Sequence, residues 1–469
     1  ITLINHTPVE SFAGSFDGDG YTVDISSSFG LFASTTASAV IKNVNTTGEI
    51  TGKITENTEN LVADDFGFPV GAIVGDNKGT IENCTNAASV YGLKWIGGII
   101  GQGSGGIVTG CINKGKVSSY RAYIGGIVGY NSGATIKSCG NTGLITTLND
   151  TGNVGGIVGQ QQTVAAITEC YNNGTIIAPD FAGGIVGNLN VSVPSINNCF
   201  NAADVTITKA SKINVGGIIG KINVEAAEKA DSSAHIYNCY NVGTITSSAG
   251  NVSDEKAIYG DFTTTAPKFA SCYYLGEATE VAKEGIAAKT STELEELNSS
   301  DAGWNFTDVW GSYNGEENYK YPVLKTIGFI VEAGSKIAPI YISNAEEFAA
   351  MADSSKYYAV SDDFTITSDS YQPIAFAGKL DGQGHTITLD ITTSWENATV
   401  PVASKANIGL FSELSGNYEI KNLNLAGEFN AINSNAKTGS LGNLGVLAGA
   451  IAEKSNGTLK DCVSSVDLS

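Results

Sequence analysis

Three sets of residues in this 469-residue chain combine chemically useful types with suggestive spacing. The first is the cysteines. Eight in a secreted protein would ordinarily be read as disulfides, and thiols also hold metals. Cys84, Cys111, Cys139, Cys170, Cys199 and Cys239, however, recur once per repeat, each followed by x-Asn, and their place is taken by Val44 in IKNVN and Leu423 in IKNLN. A position that accepts Val and Leu is a buried apolar slot, where unpaired Cys packs as a small hydrophobe. A reduced core ladder is therefore expected, with no metal site.

The second set is acidic. Asp17 and Asp19 in Asp-Gly-Asp-Gly, with Asp381 in Asp-Gly-Gln-Gly, are of a type that could ligate calcium. The EF-hand pattern is not completed and Gln383 replaces the second Asp, so a tight turn is the plainer reading. The third set is aromatic. The position two before each Gly-Gly pair is Trp95, Tyr123, Asn153, Phe181 and Asn214. Facing outward, Trp95, Tyr123 and Phe181 would form a partly aromatic stripe that stacks on sugars or anchors a protein partner. The residues that follow them (Ile96, Ile124, Val154, Ala182, Val215) are apolar as well, so the pattern alone leaves open which set faces the core.

Composition narrows the function. The formal charge is −21 and the only arginine is Arg121, so no basic stripe exists to neutralise phosphates, and nucleic acid is excluded as a partner. His6, His235 and His385 are scattered, and with one arginine they leave little for a lyase that must neutralise a uronate and abstract a proton. No catalytic set and no cofactor are expected. No stretch approaches the roughly 18 apolar residues of a membrane span. Ile1 opens inside patterned sequence, so any leader is either removed or lies outside this sequence. The abundance of Gly, Asn, Thr and Ser suits turns and exposed polar strands, and the expected setting is extracellular or on a bacterial cell surface.

The elements that must position these residues are repeats. Gly97–Gly101, Gly125–Gly129, Gly155–Gly159, Gly183–Gly187 and Gly216–Gly220 read GGIIG or GGIVG, and Gly71–Gly75 reads GAIVG. The phrase lacks the G-x-G-x-x-G spacing of a dinucleotide loop, and no helical pattern follows it. Each repeat of about 28 residues holds three short apolar segments separated by turn residues, too short for helices. Three strands per rung, stacked about 4.8 Å apart, make an all-β parallel β-helix. Ile136 and Cys139, three apart, break strict alternation, so a corner is expected between them. The Cys-x-Asn asparagine is expected to satisfy local backbone groups and to pair with its neighbour one rung away.

Two modules share one opening: FDGDGYT, GLF and IKNVN in residues 1–52 return as LDGQGHT, GLF and IKNLN after residue 376. The first module is expected over 1–326, with repeats over about 70–245, a long turn at 223–233, and a helical and aromatic cap over about 290–326 that begins with a capping box at Thr290. A connection over about 327–340 leads to the second module, 327–469, which opens with a short helix after Ser343 and holds one or two rungs.

The GGIVG rungs, the FDGDGYT and LDGQGHT openings and the GLF-to-IKN passages together resemble the GLUG-motif repeat proteins of bacterial cell surfaces. Such repeats occur in adhesins and in the non-catalytic region of IgA-cleaving metallopeptidases. The resemblance implies a surface β-solenoid and carries no protease activity over, because the His-Glu-x-x-His helix is lacking. The expectation is a non-enzymatic, monomeric adhesion or binding protein whose partner is a host or matrix glycan or protein. The alternative is a non-catalytic binding or spacer region of a polysaccharide-acting or proteolytic surface enzyme.

Overall fold

The computed structural model describes residues 1–52, 68–121, 123–147, 152–179, 181–191, 194–209, 214–223, 235–247, 254–262, 268–276, 284–298, 300–301, 303–312, 319–328, 339–351, 356–395, 407–433, 443–452, 455 and 457–468. Most of the turn at 223–233 and of the connection at 327–340 lies outside them. The chain forms two compact units, Ile1–Val331 and Glu332–Ser469, each with its own apolar core.

The first unit is a parallel β-helix. One rung shows the plan. Strand Ile124–Gly125 bends at Gly126 and Ile127 into Val128–Asn131, and Thr135–Lys137, Gly140–Asn141 and Ile145–Thr147 follow. The three expected segments are present, and two of them are divided: GGIVG by its Gly-Ile bend and the Cys segment by its corner. Successive rungs are in parallel register, Val70 beside Ile96, Ile96 beside Ile124, and Ile124 beside Val154. The stack runs from Thr2–Ile4 to Ile286–Lys289.

The corner between Ile136 and Cys139 is a single left-handed residue, Ser138 (φ 50°), matched by Asn83 (φ 52°), Gly110 (φ 66°) and Asn238 (φ 54°). Asn and Gly adopt this conformation at least cost, so turn residues precede the ladder. Behind the corner the six ladder cysteines and Val44 are fully buried, and Cys272 extends the row by a seventh rung. All eight cysteines are free. The Cys139 thiol donates to the carbonyl oxygens of Lys137 at 3.2 Å and of Val108, one rung back, at 3.6 Å. Burial pushes the thiols of Cys139, Cys199 and Cys272 well above the ordinary range, which keeps them protonated and inert.

The asparagine after each cysteine lies inside the coil. Asn86, Asn113, Asn141, Asn172, Asn201 and Asn241 form one continuous chain, begun by the Thr46 hydroxyl, with each amide N–H donating to the next amide oxygen at 2.7–2.8 Å. The second N–H of each amide goes to the carbonyl two residues on, as from Asn141 to Gly143 at 3.0 Å. Every member from Asn86 to Asn201 is thus satisfied in an apolar core, where an unmade bond would be costly.

The three glycines of GGIVG have separate steric reasons. A Cβ on the first, Gly125, would fall against the carbonyl oxygen of Val128, because the chain folds back there with backbone against backbone. A Cβ on the second, Gly126, would meet the Asn141 amide, and one on the third, Gly129, the backbone of Trp95 and Ile96 one rung below. GGIVG and Cys-x-Asn recur together because one supplies the space that the other fills.

The segment after residue 290 departs from expectation. Thr290 does cap the helix Ser291–Glu295, with Glu293 closing the box. The aromatic run beyond it, expected to cover an end of the coil, instead runs back along the side. Trp304 Nε1 donates to the Ser271 carbonyl at 3.2 Å, Gly303 accepts from Asn238 at 2.6 Å, Trp310 Nε1 donates to Asn198 at 3.3 Å, and the Tyr171 hydroxyl donates to the Gly328 carbonyl at 3.2 Å. It covers an outward aromatic stack, Tyr171 on Phe200 (centroids 5.6 Å apart) and Phe200 on Tyr240 (4.9 Å), built from the middle residue of Cys-x-Asn in successive rungs. Trp304 and Trp310 pack against that stack, 6.1 and 5.8 Å from the Tyr240 ring, and burying so much aromatic surface is strongly favourable.

The second unit repeats the parallel plan. Its helix, Ala345–Ala349, is capped by Asn344, with Glu347 reaching back to Ser343, one residue later than the Ser343 start suggested by sequence. Leu423 is fully buried, like Val44 in the first unit.

Candidate binding corner

The Asp-Gly-x-Gly turns are structural in both units. Asp17 Oδ1 accepts from the Asp19 N–H at 3.0 Å and from Asn43 Nδ2 at 2.9 Å, and Oδ2 pairs with Lys42 at 3.1 Å. Asp381 repeats this with Gln383, Asn422 and Lys421 at 2.9, 3.0 and 3.4 Å. The motif IKN(V/L)N is thereby accounted for residue by residue: Ile41 and Val44 enter the core, Lys42 and Asn43 hold the carboxylate, and Asn45 donates to the Gly20 carbonyl at 2.6 Å. Gln383 can replace Asp19 because both contribute a backbone N–H in a left-handed turn (φ 51° in each). Among the described residues, no group of three or more His, Cys, Asp or Glu is placed to hold a metal ion.

The bond from Asn43, reinforced by the Asp19 N–H and Lys42, brings the Asp17 pKa down from 3.8 to about 2. A depressed carboxylate pKa stabilises the fold above the ordinary value, and that contribution is lost as the pH falls through the folded value. An NMR titration is expected to show the Asn43 side-chain amide shifting with a midpoint near pH 2; a midpoint at 3.8 would show that the bonds do not form.

The glycine bend settles the facing of the aromatic positions. Ile96, Ile124, Val154, Ala182 and Val215 are fully buried in the core, while Trp95, Tyr123 and Phe181 lie outside it, half-buried. The structure brings two of the three together. Trp95 and Tyr123 each pack on Tyr130, with ring centroids 5.8 and 5.5 Å apart, and Lys94 Nζ lies 4.6 Å from the Trp95 centroid and 5.5 Å from that of Tyr123. Phe181 stands apart, two rungs on, because Asn153 interrupts the stripe and donates to Gln160 at 2.8 Å. Phe181 carries its own cation, Lys221 Nζ at 4.9 Å from its ring.

Tyr130 and Lys221 were not singled out from the sequence, although a signal existed. The residue directly after each GGIVG phrase (Gln102, Tyr130, Gln160, Asn188, Lys221) is in register along one outward row and faces the aromatic row across the glycine bend. Lys94, which lies over the Trp95 and Tyr123 rings, falls in a loop whose sequence differs from rung to rung, so no spacing rule marks it.

Three features meet at this corner. Trp95 and Tyr123 have left-handed backbones (φ 57° and 70°), at a cost of about 1–2 kcal/mol each for such residues. The Trp95 indole N–H is shielded from solvent and has no acceptor among the described residues, at about 1–3 kcal/mol. Burial, together with the nearby Arg121 charge, lowers the Lys94 pKa. Strain, an unanswered donor and a crowded cation at one place are typical of a functional surface.

The fold defines a parallel β-solenoid repeat protein. No family model matches the chain, and no solved structure matches it. Among curated proteins, halomucin of Haloquadratum walsbyi is 34% identical over 92 residues, 20% of this chain; the chain spans about 1% of that protein's length. Among the described residues no helix is long and apolar enough to cross a membrane.

Proposed function

We propose that the protein is a non-enzymatic, surface-exposed or secreted binding protein of the GLUG-repeat type, whose solenoid is a rigid frame and whose contact surface is the aromatic corner at Trp95, Tyr123 and Tyr130, with Phe181 as a separate contact two rungs on. One observation carries this reading: those rings gather with Lys94 on the outward side while their chain neighbours Ile96 and Ile124 take the core. Half-exposed Trp and Tyr supply large contact area at low entropic cost. The partial likeness to a protein named as a mucin fits an extracellular setting. Repeated shallow contacts along a rod gain from multivalency, so adhesion to a host or matrix glycan or protein is the role in view.

The intact chain, immobilised and exposed to an array of glycans and matrix proteins, is expected to bind a subset saturably and to release every ligand chemically unchanged. Release of a shortened or unsaturated saccharide, or no binding across the array, would overturn the proposal.

A further inference from the structure

Charge narrows what the aromatic corner can hold. The chain carries a formal charge of −21, which repels a polyanion at long range. At the corner itself a cation is already in place: Lys94 Nζ lies 4.6 Å from the Trp95 centroid and 5.5 Å from that of Tyr123, so a positively charged ligand would meet a like charge over the very rings it needs. A ligand without net charge escapes both penalties. The three half-exposed rings, with Tyr130 tilted by 38° to Trp95 and by 42° to Tyr123, offer it π surface for apolar C–H groups.

The polar groups beside the rings narrow it further. In the row that follows GGIVG, Gln102 stands one rung before Tyr130 and Asp76 one rung before that, about 10 Å from Tyr130 at the usual strand spacing. Gln102 Nε2 donates to the Ser104 hydroxyl at 3.0 Å, and that hydroxyl donates to Asp76. The half-exposed strip so formed is rich in acceptors, because a carboxylate takes several hydrogen bonds and an amide oxygen two. It calls for a ligand that brings donors, as hydroxyls do. A proline-rich peptide, whose rings would also pack on Trp and Tyr, brings none from its prolines. The Trp95 indole N–H is the complementary group: it is shielded and has no acceptor among the described residues, and it gains one when a side chain at the rim swings aside and a ligand oxygen takes its place.

We infer that the corner binds a neutral saccharide: one sugar packs its C–H face on Trp95, Tyr123 and Tyr130, one of its oxygens accepts the Trp95 N–H, and hydroxyls of the adjoining sugar donate to the strip of Gln102 and Asp76. This rests on the binding role proposed above and adds the chemical class of the ligand. Rings alone would take a proline-rich peptide equally well, and acceptors alone would take any donor; the two together select for a ligand with an apolar face and hydroxyls at its edge.

The test is calorimetry on the intact chain with neutral tetrasaccharides of β-linked glucose, galactose, mannose and N-acetylglucosamine, beside tetragalacturonate, tetraglucosamine and nonaproline. At least one neutral probe is expected to bind about tenfold or more tighter than any of the other three, with little change between low and high salt. On its addition the indole N–H resonance of Trp95, assigned by its loss in Trp95→Phe, is expected to move downfield as the group gains an acceptor. Tyr130→Leu is expected to weaken that binding about tenfold with the unfolding midpoint unchanged. A charged probe or nonaproline binding as tightly as the best neutral sugar, and moving the Trp95 resonance, would overturn the neutral-saccharide assignment while leaving the corner as a binding surface. Sugar binding that leaves the Trp95 resonance in place would put the sugar elsewhere and overturn the inference. If no probe binds, the inference fails, and the binding role itself then stands or falls on the glycan and protein array.

Discussion

Asn141→Leu is expected to lower the unfolding free energy by about 2–6 kcal/mol, a large share of what holds an ordinary domain together. The side chain is fully buried, and its Oδ1 accepts from Asn113 while its Nδ2 serves both Asn172 and the Gly143 carbonyl. Leucine fills the space but answers none of these groups. It strands the Asn113 donor and the Gly143 acceptor in an apolar core at about 1–3 kcal/mol each. Because each rung is held mainly by its neighbours, the defect should divide the coil, and urea unfolding should separate into two transitions. Thr46→Val supplies the scale. It stands at the end of the same ladder and removes a single donor to Asn86, whose oxygen still accepts from the Ala88 N–H at 2.9 Å, so about 1 kcal/mol is expected. Equal losses in the two variants would show that the ladder does not act as a chain.

The second large effect is steric. In Gly155→Ala the new methyl group would fall against the Val158 carbonyl oxygen and 2.7 Å from the Gly187 nitrogen, both backbone atoms with no freedom to swing away. The bend must open, and with it the contact between adjacent rungs, so a loss of about 3 kcal/mol or more is expected. Gly105→Ala is the control. Its Cβ would meet nothing nearer than Lys78 at 3.9 Å, and its backbone is not left-handed, so a change within about 0.5 kcal/mol is expected. Matched unfolding curves for the two variants would contradict the close packing of the bend.

These two positions also mark how much could be read from sequence. The coil was legible because its slots tolerate substitution: Val44 and Leu423 beside six cysteines identify a buried apolar position without any coordinates. The asparagine ladder followed from repetition alone, since a polar residue kept once per rung needs a partner one rung away. The candidate site was half legible. Trp95, Tyr123 and Phe181 could be listed, but GGIVG is flanked by apolar residues on both sides, and strand alternation fails where the chain doubles back. Only the bend reveals that Ile96 turns inward and Trp95 outward. Tyr130 joins Trp95 across that bend from the next rung, a contact that no spacing rule places. The strap over Tyr171, Phe200 and Tyr240 went unread for a similar reason: an aromatic run shows that something must be covered, and the coil's side chains decide which surface it is.

If the coil is the frame and the aromatic corner the contact surface proposed above, stability and affinity must respond separately to one double variant. In the double variant Trp95→Asn, Tyr123→Asn, the left-handed backbone positions receive a residue that tolerates them. Asparagine also occupies the corresponding place at Asn153 and Asn214, there on extended backbone. The unfolding midpoint is expected to hold or rise, because relieved strain offsets lost aromatic contact. Affinity for whichever array ligand the native chain binds is expected to fall by about a hundredfold. Unchanged affinity in a folded double variant would show that the corner is not the contact surface.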